Sequence, residues 1–226
     1  MLRRMALALA LVASLLIAAL PAAAATTFHY QERGSGLNAY FSNVEWDENG
    51  NILPGDYFDT WVDAATYLTT SDGSGGYRYV CVNRNEFTIE PDGSWVDVGW
   101  FGACGEAMAL TLDKGLSTGR IVSSFQAEEC LTWNDETGEC LETIQLGEVV
   151  VDLTLTGTGR IERWHGTSTG GTAGSYQYTF HGTGSSRSAD VAGIVTLDGT
   201  SLTAGATQAS GWMFTSKSGS VEISHR

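Results

Sequence analysis

The sequence predicts an all-β domain, an antiparallel sandwich or barrel of about ten to thirteen short strands. Three observations carry that expectation. Apolar and polar residues alternate through most windows, the period of a strand with one buried face. Turn-forming pairs such as Asn49-Gly50, Pro54-Gly55, Asp92-Gly93 and Asp198-Gly199 punctuate those windows. No window beyond the first 25 residues sustains the 3.6-residue period of a helix.

The first 25 residues have a different character. Arg3 and Arg4 precede an apolar run from Met5 to Leu20, and Pro21 to Ala25 form a small-residue exit. This is the pattern of a secretory signal peptide cut after Ala25. The run, about 16 residues, is short for the roughly 20 that span a bilayer. Nothing later is apolar enough to span one, so the mature chain is expected to be a single secreted β-domain, residues 26–226. Its expected location is outside the cytoplasm: secreted, periplasmic or at the cell surface.

The formal net charge of the 226 residues is −14. From Thr26 to Asp152 there are 22 acidic residues and 5 basic ones, whereas the remainder is close to neutral. An acidic front half disfavours nucleic acid and anionic membranes as partners. It suits solubility, bound cations or basic partners.

Four cysteines, Cys81, Cys104, Cys130 and Cys140, in an exported chain read as two disulfides. Three pairings are open; Cys81–Cys104 and Cys130–Cys140 are preferred because each pair brackets a hairpin-like segment. No Cys-x-x-Cys spacing or neighbouring histidine supports zinc.

Taken in order, Thr27–Tyr30 and Ala39–Glu45 read as opening strands. Asp47, Asn49 and Asn51 have the spacing that starts a calcium loop, but the glycine comes two positions early and Phe58 stands where the loop needs Glu. A solvated turn is the simpler reading. Calcium, the one cofactor weighed, would be sought here and at the acidic turn Asn134–Glu139. The next stretch, Tyr57 to Leu68, sorts by alternation into two faces. Phe58, Val62, Ala64 and Leu68 read as core; Tyr57, Asp59, Trp61, Asp63 and Tyr67 read as the opposite face. Ser71–Gly76 connects to a strand through Tyr77, Tyr79 and Cys81, and Pro91-Asp92-Gly93 turns into Trp95–Ala103. Met108, Leu110 and Leu112 form one inward stripe, and Val149, Val151, Leu153 and Leu155 another. Arg160–His165, a Ser168–Ser175 loop, Tyr176–Phe180, Val191–Leu197, Trp212–Thr215 and Val221–Ser224 complete the set.

Leu153-Thr154-Leu155-Thr156-Gly157-Thr158-Gly159, followed by Gly193-Ile194-Val195-Thr196-Leu197-Asp198-Gly199, resembles a pattern in a group of uncharacterised secreted bacterial all-β proteins. The resemblance covers the last third of the chain. It implies export and carries no activity.

The Tyr57–Tyr67 face is the candidate ligand-binding site. Aromatic faces stack on sugar rings, and neighbouring carboxylates accept hydrogen bonds from hydroxyls. Asp59 and Asp63 lie about 13 Å apart along one strand, beyond the separation of either glycosidase class. His165 and His181 would supply half of a metal site, but parity places them on opposite faces if Ile161 and Phe180 both point to the core. No nucleophile elbow or phosphate loop is present, so no catalytic residue and no metal ligand is assigned. The expected function is an exported, non-enzymatic β-domain that binds a glycan or an extracellular protein, or serves in the envelope. The alternative is a secreted hydrolase using carboxylates of the acidic half.

Overall fold

The computed structural model describes residues 25–69, 76–106, 109–133, 137, 140–172 and 176–225. The signal-peptide reading, Met108 and most of the acidic turn at 134–139 lie outside the described residues. The molecule is all-β, with eleven strands and no helix among the described residues. The strands are β1 (Ala25–Ser42), β2 (Gly55–Thr69), β3 (Tyr77–Ile89), β4 (Trp95–Gly105), β5 (Ala109–Leu112), β6 (Thr118–Trp133), β7 (Cys140–Gly157), β8 (Glu162–Thr172), β9 (Tyr176–Leu197), β10 (Thr200–Ser201) and β11 (Gln208–His225).

All belong to one antiparallel sheet in the order β4-β3-β2-β1-β11-β9-β7-β6-β5, with β8 and β10 also pairing β9. Most neighbours are consecutive hairpins. The exceptions are β7–β9, which skips β8, and β11, which inserts between β1 and β9 and so joins the first half of the chain to the second. The sheet curls until its ends meet. Phe125 of β6 lies against Gly105 of β4, and Ser123 donates to the Glu106 carbonyl. Across the interior, a Cβ on Gly119 of β6 would sit 2.3 Å from Leu37 of β1 and 3.0 Å from Met213 of β11.

The concave side is the main core. Leu37 and Ala39 of β1, Val62 and Ala64 of β2, Val80 and Val82 of β3, Val149, Val151, Leu153 and Leu155 of β7 and Met213 of β11 are all buried there. The stripe predicted from Val149, Val151, Leu153 and Leu155 is fully enclosed. Two arginines cross the mouths of this core. Arg84 lies 4.0 Å over the Phe58 ring and donates to the Leu202 carbonyl, Thr60 and Glu86. At the other end Arg187 donates to the carbonyls of Thr158 and Leu116. Each satisfies loop carbonyls that the curl turns inward.

Both preferred disulfides are present, Cys81–Cys104 across β3–β4 and Cys130–Cys140 at the β6–β7 end. They suit an oxidising extracellular or periplasmic environment. Asp198 and Gly199 both have positive φ, 48° and 76°, the two-residue turn that joins β9 to β10.

The strand count matches expectation, but the strands are longer than expected. β1, β9 and β11 each run through glycine- and serine-rich stretches read from sequence as loops or breaks. Rings of neighbouring strands occupy the space the glycines leave. A Cβ on Gly36 would meet the Phe214 ring at 2.6 Å, one on Gly34 the Tyr67 ring at 2.7 Å, and one on Gly184 the Trp164 indole at 2.3 Å. These glycines are therefore strand positions that admit an aromatic cover.

Leu68 departs from its expected core placement and is 55% exposed. It lies beyond the end of the curled core, opposite Arg33 on β1.

Candidate functional site

The convex face of β1–β4 carries the candidate residues. Asp59, Trp61, Asp63 and Tyr67 alternate on β2 as expected, while Val62 and Ala64 point into the core. Trp61 is 36% exposed, so the face opens to solvent. Tyr57 does not share that exposure. It packs with Val44, Phe87 and Ile89 in a second small core, and its hydroxyl donates to the Leu53 carbonyl at 2.8 Å. The 43–54 connection, pinned by a Trp46–Ile52 bridge, folds over this end of the convex face and covers it. Strand alternation alone could not show that cover, because it comes from the neighbouring loop.

Register brings further residues to the open part of the face. Trp61 lies opposite Tyr40 of β1 and Asn83 of β3, and Asn83 lies opposite Gly102 of β4. The Trp100 indole folds along β4 over Gly102, where a Cβ would be only 2.4 Å from it. That indole, 72% exposed, thus stands in the Trp61 row with Asn83 between the two rings. At a strand spacing of about 4.8 Å, the two rings are carried on backbones roughly 10 Å apart. Asp59 and Asn85 face each other one step along, and Asp63 lies beside the Cys81–Cys104 bridge on the other flank.

Each carboxylate is held from β1. The Tyr40 hydroxyl donates to Asp59, and Asn38 donates to Asp63. Burial pushes the Asp63 carboxyl above its ordinary pKa, against the opposing pull of the Asn38 hydrogen bond. Burial likewise raises Tyr40, with the bond to Asp59 adding to it. Farther along, Tyr67, Tyr77 and Tyr79 stack at centroid distances of 5.1–6.5 Å. Trp212, 47% exposed, extends the field across Asn38.

Such a surface offers flat apolar rings flanked by fixed hydrogen-bonding groups. The Asp59 and Asp63 backbones are separated by four residues of one strand, about 13 Å, too far for a paired-carboxylate mechanism between them. Tyr40, Asn83, Asn85 and Trp100 were not singled out from sequence. Asn83 and Asn85 share parity with Cys81, a usable signal, but their meeting with Trp61 depends on strand order.

No family model matches the chain, and no curated protein or solved structure does either. The site therefore stands on its geometry.

The other sequence candidates fall elsewhere. Asp47 turns its own loop: its carboxylate accepts from the Asn49 and Asn51 amides, both at 2.8 Å, and from the Asn51 side chain. These bonds, those from Asn51 first, hold its pKa below the usual value. The loop's polar groups are thus spent on the turn. Among the described residues, no group of three or more His, Cys, Asp or Glu is placed to hold a metal ion. The histidine parity needs correction. His165 pairs Thr183 and His181 pairs Thr167, so both imidazoles lie on one face of β8–β9. The opposite-face expectation held only if Phe180 faced the core, whereas its ring lies over Gly182, 3.0 Å from where a Cβ would be, on the other side of the sheet.

Proposed function

We propose that the protein is an exported, non-enzymatic binding domain whose convex sheet face engages a glycan. The observation that carries this reading is the row of Trp61, Asn83 and Trp100, with both rings open to solvent and Asp59 and Asn85 alongside. Trp100 keeps 72% of its surface open and Trp61, beside the Tyr40 ring, keeps 36%, and a ligand with a flat apolar face would cover that remaining ring area. Asparagine and aspartate beside them can bond the equatorial hydroxyls of a sugar ring. The paired disulfides and the signal-like first 25 residues support an extracellular or envelope setting.

A neutral oligosaccharide panel, read by tryptophan fluorescence, tests the proposal. Binding should be seen for at least one oligosaccharide, and Trp61→Ala and Trp100→Ala should each weaken it about tenfold or more without a change in Tm. Loss of stability in Trp61→Ala would make the ring a packing residue and end the proposal. Turnover of a polysaccharide or ester that Asp59→Asn or Asp63→Asn abolishes would replace it with a hydrolase.

A further inference from the structure

Beyond the mouth crossed by Arg187, strands β1, β11, β9 and β8 continue, with the end of β2 beside β1, and among the described residues their concave side chains are open to solvent. Apart from Leu68 of β2, which lies beside Arg33, the side chains that would have been core there are basic, imidazole or hydroxylic. Arg33 of β1 lies opposite Lys217 of β11, which lies opposite Thr183 of β9, which lies opposite His165 of β8. In the next rows His181 pairs Thr167, and Arg163 pairs Ser185. Arg33, Lys217, Thr183, His165, His181 and Arg163 are all exposed.

Charge is segregated between the two sides. Glu32 and Glu162 of these strands alternate onto the opposite face. From Gln31 to Ser35, Thr215 to Val221, Thr179 to Ser185 and Arg163 to Thr169, no Asp or Glu lies on the cationic side. Arg33 and Lys217 form a directly opposed like-charged pair, which disfavours the isolated sheet. Among the described residues the ion pairs are Arg84–Glu86 and Arg120–Asp152, and neither touches this patch. Gly219, between Gln31 and His181, leaves a hollow of about 250 Å³ walled by Gln31, His181, Thr183 and Lys217. In a chain of net charge −14, a carboxylate-free cationic face is the reverse of the general trend.

We infer that this face binds an anionic polysaccharide, at a site separate from the aromatic row on the convex side. Fixed cations would neutralise the polymer's carboxylates or sulfates and release its counterions. Threonine hydroxyls between them would bond the sugar hydroxyls. The face presents no aromatic ring for stacking single-stranded nucleic acid and a cation set small for a duplex contact. It also lacks the broad apolar surface by which proteins enter a bilayer.

The test is affinity electrophoresis and calorimetry of the purified protein with polygalacturonate, with uncharged dextran as control, at several salt concentrations. The protein should bind polygalacturonate and not dextran, with affinity falling as salt rises. Arg33→Ser with Lys217→Ser should weaken binding about tenfold or more and lower the slope of log affinity against log salt by about 1.5–2. The charge-preserving exchange Arg33→Lys with Lys217→Arg should retain it, which separates lost charge from lost fold. Trp61→Ala should leave it unchanged, so failure here is distinguishable from failure of the neutral-glycan proposal. Absence of binding at low salt, undiminished binding by the serine double variant, or tighter binding to duplex DNA or anionic vesicles would overturn the inference. So would a dimer of the protein alone that the serine double variant dissociates, since the face would then be occupied by a second copy.

Discussion

At Asp63, burial makes the charged carboxylate the costlier form in the folded chain, even though Asn38 donates a hydrogen bond to it. A folded pKa raised above the unfolded one fixes the sign of the linkage. The contribution is fully present below the unfolded carboxylate pKa, near 4, and is lost as pH rises through the folded value. Asp63→Asn should remove that loss, so the Tm difference between variant and parent should move in the variant's favour as pH rises from about 3 to 7. The variant should be at least as stable as the parent at pH 7. A markedly lower Tm there would show that the charged hydrogen bond outweighs the desolvation. The alternation that placed Asp59, Trp61 and Asp63 on one face was legible in the sequence, because one strand suffices to define it. The burial of Tyr57 was not legible, since its cover is the 43–54 connection and its partners Phe87 and Ile89 lie on β3.

The strands owe their length to glycines beneath aromatic rings. Gly34-Ser35-Gly36 on β1 and Gly182-Thr183-Gly184 on β9 read as flexible in isolation, yet both are central strand positions. What stabilises them is a ring from elsewhere in the sheet, Tyr67, Phe214 or Trp164, which no local pattern reveals. The same reason explains the histidine parity: Phe180 covers Gly182 on the convex side instead of entering the core. Gly36→Ala should destabilise the protein by about 1–3 kcal/mol, because the new Cβ would meet the Ala64 carbonyl and the Phe214 ring at 2.6 Å. Gly166→Ala provides the contrast. Nothing lies within 4 Å of its Cβ position, and its φ is outside the positive range. Chemical denaturation should show it neutral or stabilised by about 0.4–1 kcal/mol. Equal losses at both positions would mean that backbone freedom, not the ring cover, sets the cost.

Over the whole molecule, a single sheet has one concave side that is core inside the curl and cationic beyond it. Its convex side is aromatic and acidic. The fold class and the disulfide pairing were legible because alternation, turn residues and hairpin-bracketing cysteines are local signals. The curl was not, since β11 pairs β1 across nearly the full length of the chain. Neither was the cationic face, whose residues come from four separate stretches. Closing loops of 23 and 10 residues, the two disulfides restrict the unfolded chain. In the chain-entropy model each contributes about 2.5–3.5 kcal/mol. Cys130→Ala with Cys140→Ala should therefore lower the unfolding free energy by roughly that amount in urea titration, while leaving binding at the distant Trp61 row intact.

The central claim is that the open Trp61–Asn83–Trp100 row is a glycan platform and not packing. Calorimetric titration of the parent and Trp61→Ala with the best-bound neutral oligosaccharide, alongside their Tm values, tests it most directly. The expected result is an affinity loss of about tenfold or more at unchanged Tm. Unchanged affinity, or a Tm lowered by several degrees, would contradict it.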